Sequence, residues 1–312
     1  GRGFRHDWQG RNTRTGRDMN TLILKLNATG DVVRTTPLLG RLEGDVTWVT
    51  ADSNLSLLFG ISEGLRVLGW SERKAALDRR YDLVINLEDE GEVADFLSQA
   101  AFDQVFGAYR DDRGEVVYTS NAASWFDLSL ISVHGREKAD ELKFRNRRSY
   151  QDHLFSGMGF EFNDDPYLLP PPTATDLEGD VAVAPVAGPV WPMKNWAFYD
   201  DLIAELRGHG LTVNVLPHRP TLLEHLADVA NHRCLVSGDS LPMHFALGTG
   251  TRCVTIFNCT SPWEIHDYGL LQKLVSPLLG EFFYKRGKDE RATRAIHLDS
   301  VLESTMACLR EA

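Results

Sequence analysis

The chain has 312 residues, more than one hydrophobic core usually organises and enough for two. Apolar residues make up 43% and charged residues 25%, a globular rather than disordered or fibrous composition. A formal net charge of −11 argues against a broad nucleic-acid surface, which needs clustered Lys and Arg, and no apolar run approaches the ~20 residues that cross a bilayer.

Residues 1–18, "GRGFRHDWQGRNTRTGRD", are basic but lack the apolar core of a signal peptide. They read as an N-terminal extension or an expression remnant, with Met19 as a candidate natural start. From there strand and helix signals alternate. "TLILKLN" (Thr21–Asn27) is an apolar strand, and "DVVRTTPLLGRL" carries helical spacing with Asp31 at its N-terminal end. "DVTWVT" is the next strand, "NLSLLFG" a short helix, "LRVLGW" and "YDLVINL" strands, and "GEVADFLSQAAF" a helix. Apolar strands alternating with helices predict a parallel sheet covered on both faces.

"YLLPPPTATDLEGD" (Tyr167–Asp180) has the prolines and small polar residues of a linker. The alternation then restarts: strand "VAVAPV", helix "WAFYDDLIAELRGHG", strand "LTVNVLP", helix "TLLEHLADVANH", strand "RCLVSGD", helix "LPMHFALGTG" and strand "RCVTIFN". The predicted domains are 19–168, a linker over 169–180, and 181–290. An amphipathic C-terminal helix over 291–312 is expected to pack back on the first domain. None of the four cysteines has metal-ligand spacing; Cys234 and Cys253, in apolar strand-like runs, read as small buried hydrophobes, and a reducing, cytoplasmic protein is expected.

Ligands of open α/β sheets sit beyond the carboxyl ends of the strands, so the polar residues there are the ones to question. After the first strand stand Thr29, Gly30, Asp31 and, one turn on, Arg34. Gly30 suits a tight turn and close backbone approach. Asp31 has two readings: the N-cap of the helix, or a general base that takes a proton from an acceptor hydroxyl. In the second half, Lys194 is either a solvated lysine or a cation for a phosphate at a helix N-terminus. "CLVSGDSLPMHFALGTG" ends a strand at Ser237. Its Asp239 or Ser240 is either an ordinary N-cap or part of an anion and sugar site, with free N–H groups expected from Ser240 through Leu241 and Met243 to His244. His244 reads more simply as a packed core histidine. Glu88-Asp89-Glu90, Asp111-Asp112 and Asp164-Asp165 read as solvated charge rather than metal ligands. The basic run holding Arg136, Lys138, Lys143, Arg145, Arg147 and Arg148 is either a helix face with i,i+4 pairs or a patch for an anionic acceptor.

Three stretches together resemble glycosyltransferase family 9, the heptosyltransferases. "LKLNATGDVVRTTPLL" is similar to the family's apolar strand, Gly-Asp and Thr-x-Pro-Leu signature. "KNWAFYDDLIAEL" is similar to its Lys-x-Trp before an amphipathic helix. "LVSGDSLPMHFALGTGTRCVTIFNCTSPWE" resembles its Asp-(Ser/Thr)-Gly-x-x-His segment and later Thr-x-Pro turn. The resemblance implies a GT-B fold, two Rossmann-like domains with parallel sheets facing a central cleft. It also implies an inverting, metal-independent transfer, usually from ADP-heptose, with no cofactor. Residue by residue it implies Asp31 as base, Lys194 on the phosphates, Asp239 on the donor sugar, Ser240 near the phosphates and His244 as the motif histidine. Leu241 stands where the family has glycine, next to Pro242, and the segment after Pro217 is shorter than in relatives. The expected partners are a nucleotide-diphospho-sugar donor and a glycan, lipid-linked, protein or small-molecule acceptor, with no nucleic acid and at most peripheral membrane contact. Two other readings remain: a non-catalytic sugar-nucleotide-binding relative, and a GT-B-like sugar-nucleotide epimerase.

Overall fold

The structure is a computed structural model that describes residues 6–7 and 19–312; the reading of the rest of 1–18 as an extension or remnant lies outside the described residues. The chain divides into two compact units between Pro170 and Pro171, inside the proline run.

The first unit is built on β1 (His6–Asp7), β2 (Asn20–Leu24), β3 (Asp45–Thr50), β4 (Leu65–Gly69), β5 (Arg80–Asn86), β6 (Ala101–Arg110) and β7 (Val116–Tyr118). The spatial order is β1-β6-β5-β2-β3-β4, all parallel, with β7 antiparallel on β6. Strand β2 is central, pairing Ile23 with Trp48 on one side and Ile85 on the other. Its apolar run is continuous because both faces are buried. Ile23 joins Trp48, Ile85 and Phe106 in one core, while Leu22 and Leu24 join Val49 and Val84 in another. The helices are α1 (Thr29–Thr35), α2 (Gly91–Leu97), α3 (Ala123–Phe126), α4 (Arg136–Arg145) and α5 (Tyr150–Gly157). Strand order reverses between β2 and β5, which places the topological switch point at the loops after these two strands.

The second unit carries β8 (Gly179–Ala184), β9 (Val213–Val215), β10 (His232–Gly238), β11 (Arg252–Phe257) and β12 (Leu271–Val275), ordered β12-β11-β10-β8-β9 and all parallel. Its helices are α6 (Tyr199–Gly208), α7 (Leu222–Ala230), α8 (Leu241–Thr249), α9 (Leu279–Phe282), α10 (Glu290–Arg294) and α11 (Leu298–Glu311). The switch point lies between β8 and β10. Thr221 and Glu224 form a capping box at α7, as Ser149 and Asp152 do at α5.

Three expectations are corrected, and two strands come in addition. The helix expected through Phe102 ends at Leu97, and Ala101–Arg110 forms strand β6. Within β6, Gly107 has φ +101°, and a Cβ there would clash with the backbone of Asn86, so glycine marks a constraint of the sheet. The strands β7 and β12, short and half-buried, lacked a readable pattern. The first helix stops at Thr35 and continues to Arg41 as a 3-10 turn, with Pro37 near its start. Finally, α11 belongs to the second unit. Val301, Cys308 and Leu309 lie in the core with Val236, Val254 and Leu206, because its apolar stripe completes one face of that sheet. All four cysteines are free and buried.

Candidate functional site

In the first unit, Asp31 is not the helix cap. The cap position is Ala28, with no side-chain hydrogen bond, and Asp31 lies in the first turn of α1. Gly30 is helical and is not among the positive-φ glycines, so the tight-turn reading is also corrected. The Asp31 carboxylate accepts from Arg34 Nε at 2.9 Å, and its side chain is one third exposed. The Arg34 guanidinium in turn lies 4.1 Å from the centre of the Tyr150 ring. Thr35 donates its hydroxyl to the Asp31 carbonyl at 2.7 Å, so Tyr150, 2.7 Å from the same hydroxyl, is left as donor to it. Burial first, then the negative charge at Asp31, pushes the Tyr150 phenol well above its ordinary pKa. The carboxylate is thus bonded by Arg34 of α1, and Arg34 is packed in turn on Tyr150 of α5.

Beneath this turn lies a group that the sequence reading missed. Glu88 reads in sequence as solvated charge, but it is buried and paired with the equally buried Lys25, Nζ to Oε1 2.8 Å. The same oxygen accepts the backbone N–H groups of Leu26 at 2.5 Å and Asn27 at 2.9 Å. Lys25 also donates to the Asn27 carbonyl. From the other side buried Asn54 donates to the Leu26 carbonyl at 2.7 Å and accepts the Thr29 hydroxyl at 2.8 Å. The legible signal was Lys25 itself, a charge inside an apolar strand that must find a counter-ion if buried. At the outer end of the neighbouring loop, desolvation and then the charges of Glu88 and Asp89 hold the Glu90 carboxyl above its ordinary pKa.

In the second unit three loops converge beyond the strand ends. Lys194, at the end of a 3-10 turn after β8, donates to the Asp239 carbonyl at 2.6 Å and lies 3.6 Å from its carboxylate. Asp239 directly follows β10, and its Oδ2 accepts the hydroxyl of Thr260, just beyond β11, at 2.7 Å. Gly238 permits the approach, since a Cβ there would stand 3.2 Å from the Lys194 carbonyl. Lys194 therefore sits beside the start of α8. In sequence Thr260 reads only as part of a turn; its link to Asp239 depends on the neighbouring strands. Burial pushes the adjacent Cys259 thiol up to about 11, with the Lys194 cation opposing, so it is no ready nucleophile.

The start of α8 offers fewer amides than expected. Ser240 is the cap residue without a side-chain cap bond, Pro242 has no N–H, and the Met243 N–H already bonds the Ser240 carbonyl at 3.1 Å. His244 lies past the first three helical positions, where its N–H joins the helical ladder. That leaves the amides of Ser240 and half-buried Leu241. The Met243 N–H expected to be free is thus used within the helix start, and its side chain is wholly buried. His244 is buried one turn into the same helix.

The basic run is partly paired along its own helix and by local hydrogen bonds. Arg136 pairs with Asp140, Lys138 and Arg145 with Glu141, and Arg148 bonds the Asp152 carbonyl and the Ser156 hydroxyl. A groove of about 580 Å³ lined by His209, Gln272 and Arg310 runs along α11; none of the residues above lines it. Among the described residues no group of three or more His, Cys, Asp or Glu is placed to hold a metal ion, and no helix is long and apolar enough to cross a membrane.

No family model matches the sequence, and no curated protein matches it. Solved structures do match. A glycosyl transferase family 9 protein from Veillonella parvula superposes with a TM-score of 0.64 at 14% identity, covering 94% of this chain and 98% of its own. The E. coli heptosyltransferase WaaC with ADP gives 0.61 at 16% identity over 93% and 100%. The E. coli ADP-heptose lps heptosyltransferase II gives 0.59 at 15% identity over 94% and 99%. The two switch-point sheets and these superpositions lead to one structural conclusion: the chain has the GT-B glycosyltransferase fold of two Rossmann-like units, in the form seen in the family 9 heptosyltransferases.

Proposed function

We propose that the chain is an inverting, metal-independent glycosyltransferase that moves heptose, or a similar sugar, from a nucleotide-diphospho-sugar to a hydroxyl acceptor. ADP-heptose is the first donor to test, since solved relatives are named for it or hold ADP. The observation that carries the reading is the convergence of Lys194, Asp239 and Thr260 at the switch point beside the start of α8. An ammonium, two amides and a helix N-terminus suit a diphosphate. The Asp239 carboxylate would repel that diphosphate and instead suits sugar hydroxyls.

In the proposed reaction Asp31 removes the proton of the acceptor hydroxyl as its oxygen attacks the anomeric carbon. The bond from that carbon to the diphosphate oxygen breaks on the opposite face, which inverts the configuration. Lys194 and the amides of Ser240 and Leu241 take up the charge that develops on the leaving diphosphate. The donor is therefore assigned to the second unit and the proton transfer to the first.

The test is a panel of nucleotide sugars and acceptors read by mass spectrometry, with NMR for the anomeric configuration of the product. Transfer with inversion from ADP-heptose, lost in Asp31→Asn, is the expected result. A folded Asp31→Asn protein with full transfer would refute the base assignment. Leu241 and Pro242 motivate the second reading, a non-catalytic sugar-nucleotide binder, which predicts binding by calorimetry without turnover. Conversion of the donor with no acceptor present would point to an epimerase.

A further inference from the structure

A buried ion pair is seldom the most stable filling for a core, because desolvation of both charges offsets most of their attraction. Lys25 and Glu88 are 4% and 5% exposed, and they lie where the β2–α1 and β5–α2 connections meet. The carboxylate is not fully occupied by its counter-ion. Its Oε1 also accepts the amides of Leu26 and Asn27. Glu88 is itself anchored, with its N–H on Asn86 Oδ1 at 3.0 Å and the Asn86 amide on the Ala108 carbonyl at 2.9 Å. With Asn54 on the opposite side, the short connection from β2 to α1 is pinned at Leu26, Asn27 and Thr29. Asp31 follows two residues later, in the first turn of the helix.

From this geometry we propose that Glu88, with Lys25 as its counter-ion, is the positioning residue that sets the place of the Asp31 carboxylate. The inference rests on the reading of Asp31 as the base. Glu88 touches no substrate in this account; it acts through the backbone of Leu26 and Asn27. Its charge serves to grip two amides at once, since an anionic acceptor holds N–H groups more firmly than a neutral one. Lys25 makes that anion tolerable in the core. A displacement of the base by an ångström lowers a transfer rate by about 100-fold, so loosening this connection has a kinetic signature.

The experiment measures ADP release from ADP-heptose with the acceptor that the panel identifies. Removing Glu88 alone would strand a buried ammonium, so the paired variants Lys25→Met/Glu88→Leu and Lys25→Met/Glu88→Gln are compared. Melting temperature is recorded for each. Leucine at 88 is expected to lower kcat about 10- to 100-fold with KM for ADP-heptose within about twofold, and glutamine, which keeps an acceptor oxygen but not its charge, to restore only part of it. In an Asp31→Asn background the leucine pair should cost nothing further, because a positioning residue has nothing left to position.

Equal losses in both backgrounds, or a rise in KM that accounts for the loss, would overturn the inference. If the leucine pair does not fold, Asn54→Ser provides the same comparison from the other side of the connection. A fully active Asp31→Asn protein would sink the base reading and this inference with it. An inactive Asp31→Asn protein beside a fully active leucine pair would sink the inference alone.

Discussion

In the first unit the charges beneath the switch-point loop are sealed in the core, bonded to each other and to backbone. In the second unit Lys194 and Asp239 are each 16% exposed, and the lysine holds a single carbonyl at hydrogen-bond distance. An ammonium has three donors. One arrangement fixes a loop whether or not a ligand is present; the other keeps a cation in place while leaving it able to turn toward an incoming anion. The difference matches the proposed division of labour. A base works from one pre-set position, whereas a phosphate contact forms and breaks in every cycle.

The largest test of that contrast is Asp31→Asn, expected to lower transfer by about 100- to 10,000-fold while leaving ADP-heptose affinity unchanged by calorimetry. A parallel loss of donor affinity would erase the distinction between the units. Lys194→Met should do the reverse in kind. Donor affinity and kcat should both fall, by about 100-fold in kcat/KM, because the cation is proposed to meet the diphosphate before and during its departure. Unchanged donor affinity there would move the phosphate site elsewhere.

A smaller effect is expected from Thr260→Val. It leaves Asp239 Oδ2 without its 2.7 Å partner, and about 1 kcal/mol of orientation corresponds to a KM for the donor raised roughly fivefold. No change would mean that Asp239 needs no support from beyond β11.

The smallest effect concerns stability rather than turnover. His232 donates from Nδ1 to the Asp228 carbonyl at 2.6 Å and accepts from Asn214 at Nε2, so its buried ring is neutral. Burial lowers its pKa below the ordinary 6.5, although the bond to Asp228 opposes. The unfolded chain therefore takes up the proton first. This contribution is fully present above pH 6.5 and is lost as the pH falls from there toward the lower folded value. His232→Gln should flatten that part of the pH–melting curve. An unchanged slope would assign acid sensitivity to other groups.

Much of the architecture is written in local pattern. Apolar runs such as "TLILKLN" and "CLVSG" made strands legible, the proline run marked the division at Pro170 and Pro171, and Thr221 with Glu224 announced a helix start. These features depend on neighbours within a few residues, so periodicity and capping chemistry suffice to find them. The positions of Asp31, Lys194 and Asp239 after strands were legible for the same reason.

What tertiary structure decided was which partners those residues meet. Glu88 looks like solvated charge beside Asp89 and Glu90. Only the pairing of β5 with β2 brings it to Lys25, 63 positions away, and turns it inward. Thr260 reaches Asp239 only because β11 runs beside β10. The destination of α11 was likewise open, since an amphipathic stripe states that a helix must bury one face but not against which sheet. Sequence thus determined the elements and the polar residues that stand at the strand ends. The parallel sheets, which join distant segments side by side, determined which charges are buried, paired and held in place.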